Sequence, residues 1–400
     1  MSPNKSTYFP WDIPQTKPKM ALSQAMERLY DNYLTPRPED NPLFTSFKYT
    51  QLEGLDYNND DGTVSRRDPS KIICVNQKYY VWYTKRHTVC PPKGPEQCSE
   101  TVPSTDWDLA EIWYATSDDG FCWTEQGVAV SRPPKPELGW RSVSTPDILV
   151  WNNRYYLYYQ AFMEASGTQG DHCPVTLSSS DSPDGPWQAS GALVVPNGPE
   201  GSWDQFSIHD PYLLVYQDKI FLYYKAAYGD RPEYLVGNGV ATASDPMGPF
   251  NKHPLNPILN SGHETTYFQF GEGIAAFAIR NGNESNTIQY AADGVNFSIA
   301  SVTSMMPVAA GPFIPSAFDS SAHAHGIEWG LSHFCDKRDP TTKHSFLGRF
   351  DCNLSRINHS GEMKQTDVIH HPDVYFSQAL TPAEKDARTS ASARSANQSK

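Results

Sequence analysis

The chain has 400 residues, 12% of them aromatic and 33 of them proline, with a formal net charge of −13. An acidic balance with no compensating basic patch or tail excludes nucleic acid and anionic membrane as expected partners and suits an uncharged substrate. The seven cysteines (74, 90, 98, 122, 173, 335 and 352) include no C-x-x-C pair, which excludes the usual zinc modules and leaves a Cys90–Cys98 loop bridge as the one pairing with a local logic.

The opening MSPNKSTYFPW lacks an apolar signal-peptide core, and no run is long enough for a transmembrane helix. The expectation is a soluble protein, cytoplasmic as written and periplasmic if a signal has been removed. Residues 1–19 read as a polar arm. Residues 20–34 repeat apolar side chains at helical spacing, with Leu22, Met26, Leu29 and Tyr33 on one face, and Pro36 and Pro38 end the pattern. The segment 1–40 is therefore expected to be an arm plus a helix that caps its own domain or docks on a second subunit.

From about residue 65 a degenerate repeat begins: a short apolar strand, a two-residue polar turn, then an aromatic strand. Its copies are 72–75 with 79–83 around Asn76-Gln77, 148–151 with 155–159 around Asn152-Asn153, and 212–215 with 220–224 around Gln217-Asp218. Each is followed by another strand and a Ser-Asp or Asp-Gly turn, at 112–121, 176–187 and 240–250. The strand 287–290 belongs to a fourth unit with inner strands near 266–280, and a divergent fifth unit spans about 310–355 around Gly326-Ile327-Glu328-Trp329. Four strands per unit and five units predict an all-β, five-bladed β-propeller over 41–376, with 86–108 as an extended loop; a β-sandwich of hairpins is the competing architecture. Residues 377–400 are polar, Ala/Ser-rich and free of aromatics, and are expected to be a disordered tail.

In a propeller the first strand of each blade lines the axis, so acids that open successive first strands converge at one end of it. Asp68-Pro69, Asp147-Ile148 and Asp210-Pro211 open three copies, and Glu264 stands at the start of the fourth; His209 and His263 are their neighbours. Converging carboxylates suit glycoside cleavage, which needs one group to protonate the leaving oxygen and another to activate water or attack the anomeric carbon. Crowding drives their pKa values apart, and a histidine in the pocket offers a second choice of proton donor. An isolated acid at a strand start is more often a turn former. His323-x-His325 with Glu328 has metal-ligand spacing, although packing or substrate contact fits it better; a divalent cation near the axis is compatible with the pattern, and no cofactor is required. Trp140, Trp203 and Trp329 are candidates for a sugar-stacking platform or, more simply, for core packing.

The strings Ser65-Arg66-Arg67-Asp68-Pro69-Ser70, Ser144-Thr145-Pro146-Asp147, His209-Asp210-Pro211-Tyr212 and Gly262-His263-Glu264-Thr265, in that order, resemble glycoside hydrolase family 117, the α-1,3-L-neoagarooligosaccharide hydrolases. Ser23-x-Ala25-x-x-Arg28 resembles that family's dimerisation motif. The resemblance covers roughly residues 20–370. It implies a five-bladed propeller, exo-acting release of 3,6-anhydro-L-galactose with inversion, and a homodimer built by exchange of the N-terminal helical segment. It assigns the general base to Asp68 and the general acid to His263. Asp210 and Glu264 would bind the anhydro-sugar and tune the pair, and Thr145, Asp147, Gln160 and His209 would contact substrate. Arg67 either contacts substrate or pairs with a neighbouring acid. The residues alone favour Glu264 as the acid, as in the related five-bladed arabinan and xylan hydrolases of family 43; the resemblance favours His263. A furanosidase of that kind and a non-catalytic sugar-binding propeller are the alternatives.

Overall fold

The structure, a computed structural model, describes residues 16–30, 41–56, 61–166, 173–227, 236–280, 282, 284–318, 324–336, 344–358 and 361–364. Most of the expected arm (1–15), the expected tail (377–400), His323 and part of the N-terminal helix (31–34) lie outside them. The described residues form an all-β molecule. One helix, α1 (Gln24–Glu27), precedes β1 (Lys48–Gln51), β2 (Val64–Arg67), β3 (Ile73–Val75), β4 (Lys78–His87), β5 (Glu111–Ser117) and β6 (Thr124–Val130). Then come β7 (Ser142–Trp151), β8 (Arg154–Phe162), β9 (Val175–Ser180), β10 (Gln188–Ala189), β11 (His209–Tyr216), β12 (Lys219–Ala227), β13 (Val236–Ala243) and β14 (Asn251–Lys252). β15 (Thr266–Gly271), β16 (Gly273–Ala278), β17 (Thr287–Ala291), β18 (Ser298–Val302), β19 (Gly311–Pro312), β20 (Ala324–Asp336) and β21 (His344–Ser355) complete the strands, and a 3₁₀ turn, Gly361–Lys364, follows.

The strands pair as antiparallel meanders. β2 to β6 form one sheet, β7 to β10 a second and β11 to β14 a third; β15 to β18 join β19, β20, β21 and β1 through the β15–β20 pair. The hairpin turns read from the sequence close β3–β4, β7–β8 and β11–β12. Both central residues of each turn have positive φ (Asn76 50° and Gln77 65°, Asn152 49° and Asn153 59°, Gln217 50° and Asp218 59°), the mirror-image turn whose twist matches the flanking strands.

Five apolar clusters lie between neighbouring groups of strands. Trp82 and Ile73 meet Ile148 and Leu157; Leu149 and Leu177 meet Leu213 and Leu222; Tyr212 and Tyr223 meet Tyr267 and Ile274; Phe268 and Phe277 meet Phe350 and Leu354; Val81 and Tyr83 meet Trp329 and Leu347. Inner strands are thus covered on both faces, which is why they read as continuous apolar and aromatic runs. Trp329 and Trp203 belong to this packing and not to a sugar platform: Trp329 is buried against Phe313 and Tyr79, and Trp203 stacks on Tyr224. No disulfide forms among the described residues, so Cys90 and Cys98 do not bridge their loop.

The helix expected over 20–34 is a single turn in the described residues. Ser23 caps it by accepting the Met26 N–H (3.3 Å), and the Leu29 and Tyr30 N–H groups already bond three residues back, to Met26 and Glu27. What fixes the segment is docking rather than helix length: Arg28 forms a buried two-pronged pair with Glu284 (2.8 and 2.9 Å), and Ser23 Oγ donates to the Pro257 carbonyl (2.7 Å).

Candidate functional site

The site is built on a backbone device repeated five times. Asp68 (φ 50°), Thr145 (49°), Asp210 (52°), Glu264 (60°) and Ala309 (47°) all hold the left-handed conformation just ahead of an inner strand or within its first residues. In the second and third sheets it coincides with a break in register, between Ser144 and Asp147 and between His209 and Tyr212. A non-glycine residue there costs on the order of 1 kcal/mol or more, and it persists where neighbours fix it. The fixing bonds come from the adjoining strand of another unit: the Thr145 N–H donates to Thr84 Oγ1 (2.8 Å), the Asp210 N–H to Gln160 Oε1 (3.0 Å), the Glu264 N–H to Asp210 Oδ2 (3.1 Å) and the Asp68 N–H to His333 Nδ1 (3.3 Å).

This alignment corrects one sequence expectation. The counterpart of Asp68 and Asp210 in the second unit is Thr145, followed like them by proline, and not Asp147. Asp147 sits two residues further, where it is buried, ion-paired with Lys71 Nζ and bonded by the Leu213 N–H (2.7 Å). Burial raises its pKa despite Lys71, and burial likewise lowers that of Lys71. Asp147 therefore braces two strands behind the site.

Asp68, Thr145, Asp147, Asp210 and Glu264 border one small cavity of about 30 Å³. Arg67 bridges two of its acids, with Nε on Asp68 Oδ2 (2.7 Å) and Nη2 on Glu264 Oε1 (2.6 Å); its Nη1 lies 3.9 Å from Asp106, and its guanidinium covers the Trp107 ring at 4.8 Å. Burial alone would raise the Asp68 carboxyl, but Arg67 and then His333 outweigh it and hold Asp68 well below the usual carboxylate range. Burial likewise opposes ionisation of Asp210, whose carboxyl is nevertheless lowered by Lys225 (3.4 Å away) and by His263 and His209. His263, half-buried, is shifted the other way. Burial and then Lys225 lower its pKa, against the pull of Glu264 and Asp210.

Of the residues read from the sequence, Asp68, Asp210, Glu264, Arg67, Thr145 and Gln160 meet here. His209 and His263 immediately precede Asp210 and Glu264 at the same edge. Gln160 is buried, with its amide nitrogen 3.4 Å from Cys173 Sγ, so it supports Asp210 from behind. His333, Lys225, Arg280 (3.6 Å from Glu264) and Trp107 join the site without any signal in the repeat pattern. His333 is buried, with Nδ1 3.2 Å from Asp68 Oδ1 and Nε2 3.8 Å from Glu264 Oε2. Those two carboxylate oxygens are buried without a hydrogen bond, and the donor atoms of Asp68, Glu264 and His333 lie within 4.8 Å of one another, a set with the hard oxygen and imidazole chemistry of a divalent-cation site. The His325 and Glu328 pattern fits one less well: both are exposed, and Glu328 accepts from Asn358.

No family model and no curated protein matches the chain. Among solved structures it is similar to Zg3597, a family 117 glycoside hydrolase produced by the marine bacterium Zobellia galactanivorans, with 58% sequence identity over 86% of this chain and 100% of that one and a TM-score of 0.79. A further structure, described as a glycoside hydrolase, is similar in fold alone (14% identity, 80% of this chain and 94% of that one, TM-score 0.51). No helix among the described residues is long and apolar enough to cross a membrane. With 58% identity along the whole of a family member, this chain is a glycoside hydrolase and belongs to glycoside hydrolase family 117.

Proposed function

We propose that the enzyme releases 3,6-anhydro-L-galactose from the non-reducing end of neoagarobiose and longer neoagaro-oligosaccharides, with inversion, inside a five-bladed propeller. The five-bladed reading is supported by the five left-handed strand starts and by five apolar clusters, each packing one group of strands against the next. The reaction reading is carried by Asp68: a buried carboxylate at the edge of the cavity, kept ionised by Arg67 on one oxygen, with the other free of hydrogen bonds beside His333. Such a group is ready to take a proton from water. His263 is the proton donor in this reading, Asp210 and Glu264 hold the sugar, and Thr145 and His209 contact it at the rim. Arg67 is committed to Asp68 and Glu264, which supports its role as their clamp.

Spacing bears on the choice of acid. Inverting pairs stand roughly 6.5–9.5 Å apart to admit water, whereas Asp68 and Glu264 have oxygens within 4.8 Å of one another. Glu264 is thus too close to Asp68 to be its inverting partner, and His263 is the better donor. The same spacing favours a second reading, in which Asp68 and Glu264 form a retaining pair at roughly 5–5.5 Å. NMR of the products from neoagarobiose and neoagarohexaose decides: a single anhydro-sugar leaving with inverted configuration is expected, and retention overturns the role of Asp68 as base. Comparing ordinary and activated leaving groups tests the acid. His263→Ala should be rescued by the better leaving group and Glu264→Ala should not; rescue of Glu264→Ala alone reverses the assignment.

Exchange of the N-terminal segment between two copies belongs to the same proposal, as does a divalent cation held by Asp68, Glu264 and His333. Such an ion would compete with the Arg67 clamp for the two carboxylates.

A further inference from the structure

A cavity larger than the one at the acids lies elsewhere among the described residues. It encloses about 330 Å³ at the far ends of the strands whose starts carry them, between 148–153 of the β7–β8 hairpin, 213–215 of β11, Gln269 of β15, 314–318 and His325. Six residues of extended chain, from Thr145 to Trp151, put roughly 20 Å between the two ends. The Lys71–Asp147 ion pair lies between them: Lys71 borders the large cavity and Asp147 the small one, and both are buried. A substrate at the acids does not extend through that plug.

The lining selects a ligand class. It contains no Asp or Glu, so His325 alone, without a carboxylate beside it, makes a poor cation site. Its one lysine is neutralised by Asp147 and also donates to the Ile148 carbonyl (2.7 Å), so it offers little to an anion. What remains is neutral and polar, from Asn152, Asn153 and Ser316, beside apolar strand residues. At the rim stands Phe318, 45% exposed and held edge-on by Tyr155 (centroids 6.2 Å apart, 80° between planes). An exposed aromatic face beside neutral hydrogen-bonding groups, in a concavity of ligand size, is the chemistry of a sugar ring, with its apolar C–H face and its hydroxyl edge.

We propose that this cavity is a second, non-hydrolytic binding site for a neutral sugar. It would hold an oligosaccharide end or a released sugar away from the acids, and it does not rest on which glycoside the enzyme cleaves. The test uses D-galactose as the probe, with galactose 6-sulfate as its charged counterpart, titrated by NMR into the full-length native enzyme and into Phe318→Ala and Asp210→Asn variants. The expected result is galactose binding weakened about tenfold or more by Phe318→Ala, unchanged by Asp210→Asn, and stronger than binding of the sulfate. Turnover of neoagarobiose, or of the first glycoside the native enzyme is found to cleave, should stay within about twofold in Phe318→Ala, since that ring does not border the cavity at the acids. Three results would overturn the proposal: no galactose binding to the native enzyme, binding indifferent to Phe318→Ala, or binding lost with Asp210→Asn. Absence of neoagarobiose cleavage would count against the proposed substrate alone and leave this site standing.

Discussion

Arg67 is the residue on which the acids depend. It neutralises Asp68 and Glu264 at once in a buried setting, where removing one partner of such a network typically costs about 3–5 kcal/mol. Arg67→Met should lower kcat/KM by about 10²-fold or more and move the acid limb of the pH profile upward, because Asp68 then loses the partner that lowers its pKa while keeping the burial that raises it. A variant with an unmoved acid limb would show that Asp68 is not the base. The stability linkage has the same sign. A depressed carboxyl contributes stability above about pH 4 that is lost as pH falls towards its folded pKa, so Arg67→Met should flatten the acid side of a Tm–pH curve. With His263 as the proposed acid, it sets the other limb. An imidazolium donor lost as pH rises through a pKa below 6.5 gives an acidic optimum, and Lys225→Met, which removes a cation opposing that proton, should move this limb upward. Asp68, Asp210 and Glu264 are legible in the sequence because they recur at strand starts. His333 and Lys225 are not, because their place depends on cross-strand register and on the next unit, which no linear spacing encodes.

At the scale of elements, the left-handed strand starts explain both what the repeat reveals and where it misleads. Aligning units by acid type pairs Asp147 with Asp68 and Asp210. Aligning them by the proline that follows, as in Asp68-Pro69, Thr145-Pro146 and Asp210-Pro211, gives the register the structure has. The acids are placed by backbone conformation, and chemistry is added only at some of the five positions. Ala309 is the position where the device carries no polar side chain, so it isolates the conformational contribution. Ala309→Gly should leave Tm unchanged or slightly raised, since glycine adopts positive φ without strain. Ala309→Val should lower it, because a β-branched residue is disfavoured there. Thermal melts of the two variants check this, and equal melts would show that the conformation is not retained. The hairpins are legible because two-residue polar turns between aromatic strands have few other solutions. The length of the helix is not, because 3.6-residue periodicity also describes a short turn followed by docked chain.

For the whole molecule, the N-terminal segment joins the two remaining questions, stability and assembly. Ser23, Ala25 and Arg28 all contact the body of the chain: Ser23 on Pro257, the Ala25 carbonyl on Asn260 Nδ2 (3.2 Å), and Arg28 on Glu284, Gln289 and the Phe297 carbonyl. None of these contacts depends on which copy supplies the segment, so exchange between two chains would preserve every bond while tying the chains together, a low-cost route to a dimer. Arg28→Ala leaves Glu284 buried without its main cation and should cost about 3–5 kcal/mol, read as a large fall in Tm. Light scattering separates the two arrangements. If the segments are exchanged, the native enzyme is a dimer and Arg28→Ala shifts it towards monomer as it is diluted, with Tm becoming dependent on concentration. If each segment docks on its own chain, Arg28→Ala still loses stability, but mass and concentration dependence stay as they are in the native enzyme. That outcome removes exchange from the proposed function and leaves the catalytic assignment untouched.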